Sequence, residues 1–235
     1  MKIALMQPYF FPYLGYYQLI QSVDEFVIFD QAQFIRRGWI TRNRILNAHK
    51  ETVYIHVPVC KAPRETCIKD IHINHEINWQ EKIIQQLLYY KDAPNFMNVM
   101  KFVKEILSVK FDNISELNTF LIKETCKLFD IETKITVLSE KFPEIIEANE
   151  ADEWGIQVAH ALHATTYINA LGGKEFYSQQ KYADHNLDIQ FINPQLEPYK
   201  QFNHPFVPGL SIIDVMMFND IDTIKKMINI HELIK

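Results

Sequence analysis

Glycine, cysteine and long apolar runs are all scarce in this chain of 235 residues. Its six glycines form no P-loop, dinucleotide fingerprint or nucleophile elbow, which excludes the commonest glycine-dependent sites for phosphates and acyl groups. Its three cysteines, Cys60, Cys67 and Cys126, have neither metal-ligand nor redox spacing, so we expect free thiols in a reducing compartment. The apolar run at the N-terminus is too short for a signal peptide or a membrane span. These absences predict a cytoplasmic protein that does not insert into a membrane, with association through a partner left open.

A surplus of positive charge is also lacking. The formal net charge of −5 offers no general attraction for nucleic acid or an anionic membrane, so we expect no nucleic-acid partner. Any anion site must therefore be local. The hydrophobic content of 48%, with 16 phenylalanines and 11 tyrosines, is enough for the core of a single domain over residues 1–235.

The order of strand-like and helical segments predicts an α/β fold. Residues 2–6 and 25–30 have the pattern of buried strands on either side of a helix over 14–23, which indicates a βαβ unit and a parallel sheet. Further strands are predicted over residues 52–59, 69–73, 133–138, 165–169 and 188–192. Further helices are predicted over 79–90, 93–107, 114–129 with Ser115 as N-cap, 211–218 and 221–228. We expect a three-layer, mainly parallel sheet structure with an inserted helical region at roughly 80–130.

Arginine is rare in this chain, and its distribution points to an anion site. Four of the five arginines lie within nine residues, whereas the other cationic side chains are almost all lysines. These four are Arg36, Arg37, Arg42 and Arg44. A guanidinium grips phosphate or carboxylate with two parallel bonds, which the point charge of an ammonium does not do. Asn43 and Trp39 add an amide and a ring suited to stacking a base or sugar. The alternative is a basic surface loop, or arginines paired with acids for structure.

Two polar residues precede the arginine segment. Asp30, at the end of a predicted strand, is placed to orient an arginine or to hold a ribose hydroxyl or amine. Gln33 offers an amide for the same purpose. Locally this set would also suit single-stranded nucleic acid, but the net charge argues against that partner.

The residues after the first predicted strand form an aromatic loop bounded by prolines. From Gln7 the chain reads Gln-Pro-Tyr-Phe-Phe-Pro-Tyr-Leu-Gly-Tyr. This layout is similar to that of nucleotidylyltransferases and class I synthetases, in which ATP lies over a helix N-terminus. Their His-x-Gly-His motif is replaced here by Tyr13-Leu14-Gly15-Tyr16, which carries no positive charge. The alternative is an aromatic cluster packed at the sheet edge. Because carboxyl ends of parallel strands meet at one edge, we expect this loop and the arginine segment to share one hollow.

Weaker candidates lie in the second half of the chain. Gly173 and Lys174 follow a predicted strand and either cradle phosphate or form a plain tight turn. His204 is a candidate general base. Ser211 and Asp214 have the spacing of an N-cap and capping box. The pairs His72/His75 and His160/His163 lack a matching third ligand, so we predict no metal site.

The full sequence resembles the WbqC-like family. The resemblance is carried by the aromatic loop, by Val-Asp-Glu-Phe-Val-Ile-Phe-Asp ending at Asp30, and by Arg-Gly-Trp-Ile-Thr-Arg-Asn-Arg-Ile ending at Ile45. Thr-Tyr-Ile-Asn ending at Asn169 and Leu-Ser-Ile-Ile-Asp ending at Asp214 extend it towards the C-terminus. One departure is Glu-Trp-Gly-Ile at 153–156, where relatives often carry an Arg-Leu pair.

The resemblance implies a role in bacterial O-antigen or surface-polysaccharide biosynthesis. The implied reaction is transfer of an aminoacyl (glycyl) or other acyl group to an amino sugar, which we expect to be nucleotide-linked. If the aromatic loop binds ATP, ATP with Mg²⁺ would activate the acyl group, and Asp30 or His204 would accept the proton of the attacking amine. The expected ligand-binding residues are Gln7, Tyr9, Tyr13, Gly15, Tyr16, Gln33, Arg36, Arg37, Trp39, Arg42, Asn43, Arg44, Gly173 and Lys174. The alternatives are a non-catalytic sugar-nucleotide-binding or assembly protein, and a nucleotidylyltransferase of a small substrate.

Overall fold

The computed structural model describes residues 1–49, 51–202 and 205–235. The strands are β1 (Lys2–Met6), β2 (Glu25–Ile28), β3 (Arg42–Leu46), β4 (Thr52–His56), β5 (Lys134–Val137), β6 (Thr166–Ala170), β7 (Asp188–Pro194) and β8 (His231–Ile234). The helices are α1 (Leu14–Gln21), α2 (Trp79–Leu87), α3 (Phe96–Leu107), α4 (Ile114–Leu128), α5 (Leu138–Lys141), α6 (Glu153–Ala161), α7 (Gln179–Asp184), α8 (Ile212–Phe218) and α9 (Ile221–Ile228). Among these residues no helix has both the length and the apolar character needed to cross a bilayer.

A six-stranded sheet forms the centre of the fold, with strand order β5-β2-β1-β6-β7-β8. The pairs from β5 to β7 are parallel, and β8 joins β7 antiparallel. The predicted α/β class with a mainly parallel sheet is therefore confirmed. The chain moves outwards from β1 through β2 to β5, then returns to the other side of β1 for β6 and β7. In such doubly wound sheets the reversal leaves a crevice beyond the carboxyl ends of the strands. Residues 7–13, which follow β1, lie at that point.

Both faces of the sheet are covered, because alternate residues of each strand bury apolar side chains on opposite sides. One cluster contains Ala4 and Phe26 with the apolar faces of α1, α4, α8 and α9. The other contains Ile3 and Val27 with α6 and α7. Gly155 of α6 packs against the second cluster, since an added Cβ there would lie 2.3 Å from the Tyr182 hydroxyl. The departure from the family pattern at 153–156 thus lies in a packing contact.

The end of the arginine segment, from Arg42 onwards, is the strand β3, which the sequence reasoning did not anticipate. β3 pairs antiparallel with β4 in a separate two-stranded ribbon, so the predicted strand 52–59 is shorter and does not extend the main sheet. Within β3, Asn43 and Ile45 are buried, whereas Arg42 and Arg44 on the other face are partly exposed. The predicted strand over 69–73 is wrong. Residues 68–70 form a 3₁₀ turn. The carbonyls of Lys69 and Ile71 accept hydrogen bonds from the Asn113 side chain and the Ile114 N–H at the start of α4, so they do not pair with a neighbouring strand.

Two capping predictions are also corrected. Asn113, not Ser115, caps α4 by accepting the Ser115 N–H at 2.7 Å. Ser211 does cap α8, as predicted, but its own N–H donates to the Arg44 carbonyl rather than to Asp214. Asp214 is instead buried and accepts hydrogen bonds from Tyr90, Tyr199 and Gln201. The strand β8 was not predicted, and β2 ends two residues earlier than expected.

Candidate functional site

The aromatic loop after β1 is held in place by amide side chains from distant elements. Asn118 of α4 donates to the carbonyls of Pro8 and Ile40, both at 2.8 Å. Asn43 of β3 donates to the next carbonyls along the loop, those of Phe10 (3.1 Å) and Phe11 (2.7 Å). Both amide side chains are buried. The loop therefore presents its side chains from a backbone whose polar groups are already satisfied.

Phe11 takes an unusual backbone conformation within this loop. Its φ is +40°, a region that a bulky L residue rarely adopts and that costs free energy unless surrounding contacts enforce it. The Ser211 hydroxyl donates to the Phe11 carbonyl at 2.9 Å, in addition to Asn43. Ser211 also forms an isolated bridge with Tyr13. The conformation of the loop is thus fixed by contacts from both β3 and the segment before α8.

The aromatic loop and the arginine segment converge on one cleft, here called the arginine cleft. Its volume is about 210 Å³. It is lined by Tyr9, Tyr13, Trp39, Asn43, Arg44 and Gly209. The backbone of the two segments is also joined directly, because the Phe10 N–H donates to the Trp39 carbonyl at 2.9 Å. Burial, and to a lesser degree Tyr13, raises the pKa of Tyr9, and burial raises the pKa of Tyr13. Both hydroxyls therefore stay protonated at neutral pH and can donate hydrogen bonds.

Arg44 is the cation of the cleft. Its Nη2 donates to the Gly209 carbonyl at 3.0 Å, and its guanidinium lies 5.6 Å from the centre of the Trp39 ring. Its neighbour on the same face, Arg42, stacks over the Tyr54 ring at 4.2 Å. The Nε atoms of both arginines are buried without a hydrogen-bond partner. In the part of the chain that the structure describes, no arginine lies within ion-pair distance of a carboxylate.

The Tyr13-Leu14-Gly15-Tyr16 motif divides its tyrosines between the cleft and the core. A Cβ on Gly15 would lie 2.5 Å from the Tyr13 ring and 2.8 Å from Pro194. The absence of a side chain at Gly15 therefore allows the Tyr13 ring to lie against the helix. Tyr16 is buried, and its hydroxyl donates to the Gln7 carbonyl at 2.8 Å. Gln7, Gly15 and Tyr16 thus lie behind the cleft rather than on its surface.

Several expected ligand-binding residues lie elsewhere. Gln33 and Arg36 donate to the carbonyls of Arg64 and Ala62, respectively, each at 2.8 Å. Arg37 is exposed in the same loop with φ +61°. Lys174, next to Gly173 after β6, donates to the Lys235 carbonyl. None of these contacts faces the arginine cleft.

The acidic candidate Asp30 also lies apart from that cleft. It is 2% exposed and accepts hydrogen bonds from the Ser139 N–H (3.1 Å) and hydroxyl. Burial raises the pKa of the Asp30 carboxyl, and Ser139 and the charge of Lys69 offset part of the rise. Asp30 lines a second cavity, at the carboxyl ends of β2 and β5. The basic candidate His204 falls outside the described residues.

Three residues of the site were missed by sequence reasoning. Gly209, with φ +67°, follows a proline, and this Pro-Gly pair is a turn signal that was available. Asn118 is an amide in the middle of a helix, and such residues often bind backbone groups. Tyr54 carries no such signal, because its role depends on the pairing of β4 with β3, which places it directly opposite Arg44.

The chain is similar to known proteins over nearly its whole length. A protein of Mycobacterium tuberculosis, the uncharacterized protein Rv1507c, is 25% identical to this chain in an alignment that covers 93% of each sequence. No solved structure matches the chain. The model of the WbqC-like protein family matches residues 7–226, a span that begins in the aromatic loop and includes the whole arginine cleft. With its loop, its arginine strand and its C-terminal segment all inside that match, the chain belongs to the WbqC-like protein family.

Proposed function

We propose that the arginine cleft binds the phosphate of a nucleotide or nucleotide-linked sugar. The observation that carries this proposal is the state of Arg44, which lines the cleft, with Arg42 beside it on the same face of β3. Neither has a carboxylate partner among the described residues, and both keep a buried Nε–H without an acceptor. Buried donors are normally paired, and an unpaired one costs about 1–3 kcal/mol. A phosphate oxygen would supply both the missing acceptor and the missing charge.

The remaining lining of the cleft suits the rest of such a ligand. Trp39 is 39% exposed, so one face of its ring is available for stacking on a base or sugar. Tyr9 and Tyr13 offer neutral hydroxyls as donors to phosphate oxygens. The cleft volume of about 210 Å³ is below the roughly 300–1,000 Å³ usual for drug-sized ligands. The cleft would therefore hold the phosphate and one adjoining ring, with the remainder of the ligand outside.

The reaction we propose for this site is aminoacyl or acyl transfer to the amine of an amino sugar in surface-polysaccharide biosynthesis. Resemblance to the WbqC-like family suggests this chemistry, and an anion-binding cleft is compatible with it. The bond between the acyl carbonyl and a phosphate oxygen would break, with the electron pair leaving on the phosphate. The carbonyl would form an amide bond to the sugar nitrogen, and the amine would lose a proton to solvent water. If ATP activates the acyl group, AMP is the leaving group and Arg44 is placed to stabilise its phosphate charge.

The first experiment is calorimetry of the purified protein with ATP, AMP, a nucleotide-linked sugar and inorganic phosphate. We expect saturable binding of at least one nucleotide ligand, tighter than that of inorganic phosphate because Trp39 adds a ring contact. Failure of every phosphate-bearing ligand to bind at millimolar concentration would refute the assignment of the cleft.

A second candidate is non-catalytic binding of the same ligands. It is favoured because Asp30, the candidate proton acceptor, is not among the residues that line the cleft. Product analysis separates the candidates. Release of AMP and pyrophosphate that requires both an amino acid and an amino sugar supports transfer. Pyrophosphate with a nucleotidylated product supports a nucleotidylyltransferase instead, and binding without turnover supports the non-catalytic candidate.

A further inference from the structure

A second cavity, of about 480 Å³, lies where β2 and β5 end. Asp30 follows β2 and Ser139 follows β5, and both line it together with Thr119 of α4. The Phe29 N–H donates to the Met6 carbonyl at 2.8 Å, so the pairing of β1 with β2 continues up to this point. Because neighbouring strands are about 4.8 Å apart, the second cavity opens at the strand adjacent to the one that carries the aromatic loop.

Thr119 is the unusual residue of this cavity. It is 8% exposed, and its hydroxyl is buried without a hydrogen-bond partner. A threonine inside a helix can bond the carbonyl one turn back, and Thr125 of the same helix does so with Leu121 at 2.8 Å. The Thr119 hydroxyl makes no such bond although Thr119 lines the cavity, and leaving it unpaired costs about 1–3 kcal/mol. A ligand that forms a hydrogen bond with this hydroxyl would remove the free-energy cost of leaving it unpaired.

Asp30 supplies a buried charge to the same cavity. Its two oxygens accept one hydrogen bond each from Ser139, and a carboxylate has about four acceptor positions. Roughly two positions are therefore left for a ligand. An ammonium group is a suitable partner because it carries three donors and the opposite charge.

The charges around the cavity differ from those of the arginine cleft. Its lining includes the carboxylates of Asp30, Glu116 and Glu140 and the ammonium groups of Lys69 and Lys123. The sum, three negative against two positive, disfavours an anion. The arginine cleft, in contrast, is lined by a cation and no carboxylate.

We propose that the second cavity binds a hydroxyl-bearing primary amine of about monosaccharide size, with its ammonium group at Asp30 and a hydroxyl at Thr119. The volume falls within the roughly 300–1,000 Å³ of small-molecule sites. Phe120 lines the same cavity and offers an apolar surface for the carbon skeleton of the ligand. The further role of this molecule as the acceptor in acyl transfer rests on the proposed function, whereas its binding does not.

The test is calorimetry with D-glucosamine as the probe, D-glucose as its neutral match and inorganic phosphate as an anion, without any nucleotide present. We expect D-glucosamine to bind at least tenfold more tightly than D-glucose, because only the amine pairs with Asp30. Binding of phosphate in place of D-glucosamine, or equal affinity for both sugars, overturns the proposal.

Thr119→Val gives the sharpest variant, since it removes only an unpaired hydroxyl and keeps the shape of the side chain. We expect its unfolding free energy to be unchanged or higher and its affinity for D-glucosamine to fall about 3- to 10-fold, the loss of one hydrogen bond. Thr125→Val, in the same helix but bonded to Leu121, is the matched control and should leave the affinity unchanged. Equal affinity in wild type and Thr119→Val contradicts the proposal.

Asp30→Asn is the second variant, and a loss of roughly tenfold or more is expected because the charge is removed. If this variant does not fold, the comparison of Thr119→Val with Thr125→Val still tests the proposed binding. The two proposals also fail independently. A protein that binds D-glucosamine but no phosphate-bearing ligand retains the second cavity and loses the proposed function.

Discussion

Replacement of Arg44 by lysine tests whether the arginine cleft depends on the shape of a guanidinium or only on its charge. Arg44 uses Nη2 for the Gly209 carbonyl at 3.0 Å, and its Nε is buried without a partner. Lysine keeps the positive charge but has a single nitrogen, which cannot serve the carbonyl and bind two phosphate oxygens in one plane.

The expected loss follows from the bonds removed. One charge-assisted hydrogen bond contributes about 1.5–3 kcal/mol, and 1.4 kcal/mol corresponds to a tenfold change in affinity. The affinity for a phosphate-bearing ligand should therefore fall roughly 10- to 150-fold in Arg44→Lys. The stacking of Arg44 near Trp39 adds little to this figure, because the ring centre is 5.6 Å away and an exposed cation–π contact contributes about 0.5–1 kcal/mol.

Calorimetry at one fixed salt concentration measures this loss, since ionic strength changes the contribution of charge. Arg64→Lys is the matched control, because Arg64 is exposed and outside the cleft. Urea unfolding confirms that both variants are folded. Equal affinity in Arg44→Lys and wild type would show that charge alone acts at this position. The proposed bidentate binding of phosphate by Arg44 would then be wrong.

Two further predictions concern Gly15 and Glu25. Gly15→Ala should destabilise the protein by about 1–3 kcal/mol and weaken ligand binding, because the new Cβ would lie 2.5 Å from the Tyr13 ring. Gly172→Ala, where nothing lies within 4 Å, should do neither, and equal unfolding curves for the two variants would contradict this. Burial would raise the pKa of the Glu25 carboxyl, but hydrogen bonds from Lys141, Thr136 and Lys134 outweigh it and lower the pKa. The stabilisation from Glu25 is therefore complete above its unfolded pKa of about 4.3 and is lost as the pH falls through the lower folded value. Glu25→Gln should narrow the difference in unfolding free energy between neutral pH and pH 3, and an unchanged pH dependence would refute the assignment.

The strands β1 and β2 of the central sheet were predictable because their sequences are largely apolar. Residues 3–5 and 25–28 are buried on both faces and lie next to recognisable turn and helix signals. β3 was not recognised because Arg42 and Arg44 alternate with a buried amide, so its pattern resembles a polar loop. Its strand character depends on pairing with β4 and on the loop carbonyls that Asn43 binds, which are contacts of the folded chain.

The site was predicted in its residue types but only partly in its geometry. The meeting of the aromatic loop with the arginine segment was expected because the carboxyl ends of parallel strands lie at one edge of the sheet. Of the four arginines, however, only Arg44 lines the cleft, and it does so from β3 in the separate ribbon. The separation of Asp30 from that cleft could not be foreseen. It depends on Ser139, which binds the carboxylate and comes from α5, 109 residues further along the chain.

The contact between Ser211 and Phe11 joins residues 200 positions apart. A nascent chain cannot make that bond before Ser211 has left the ribosome, so we expect the cleft to have no affinity for its ligand before that point. Occupancy would then report on complete folding, and a metabolite present at many times its Kd would favour the mature protein by mass action over every partly folded form.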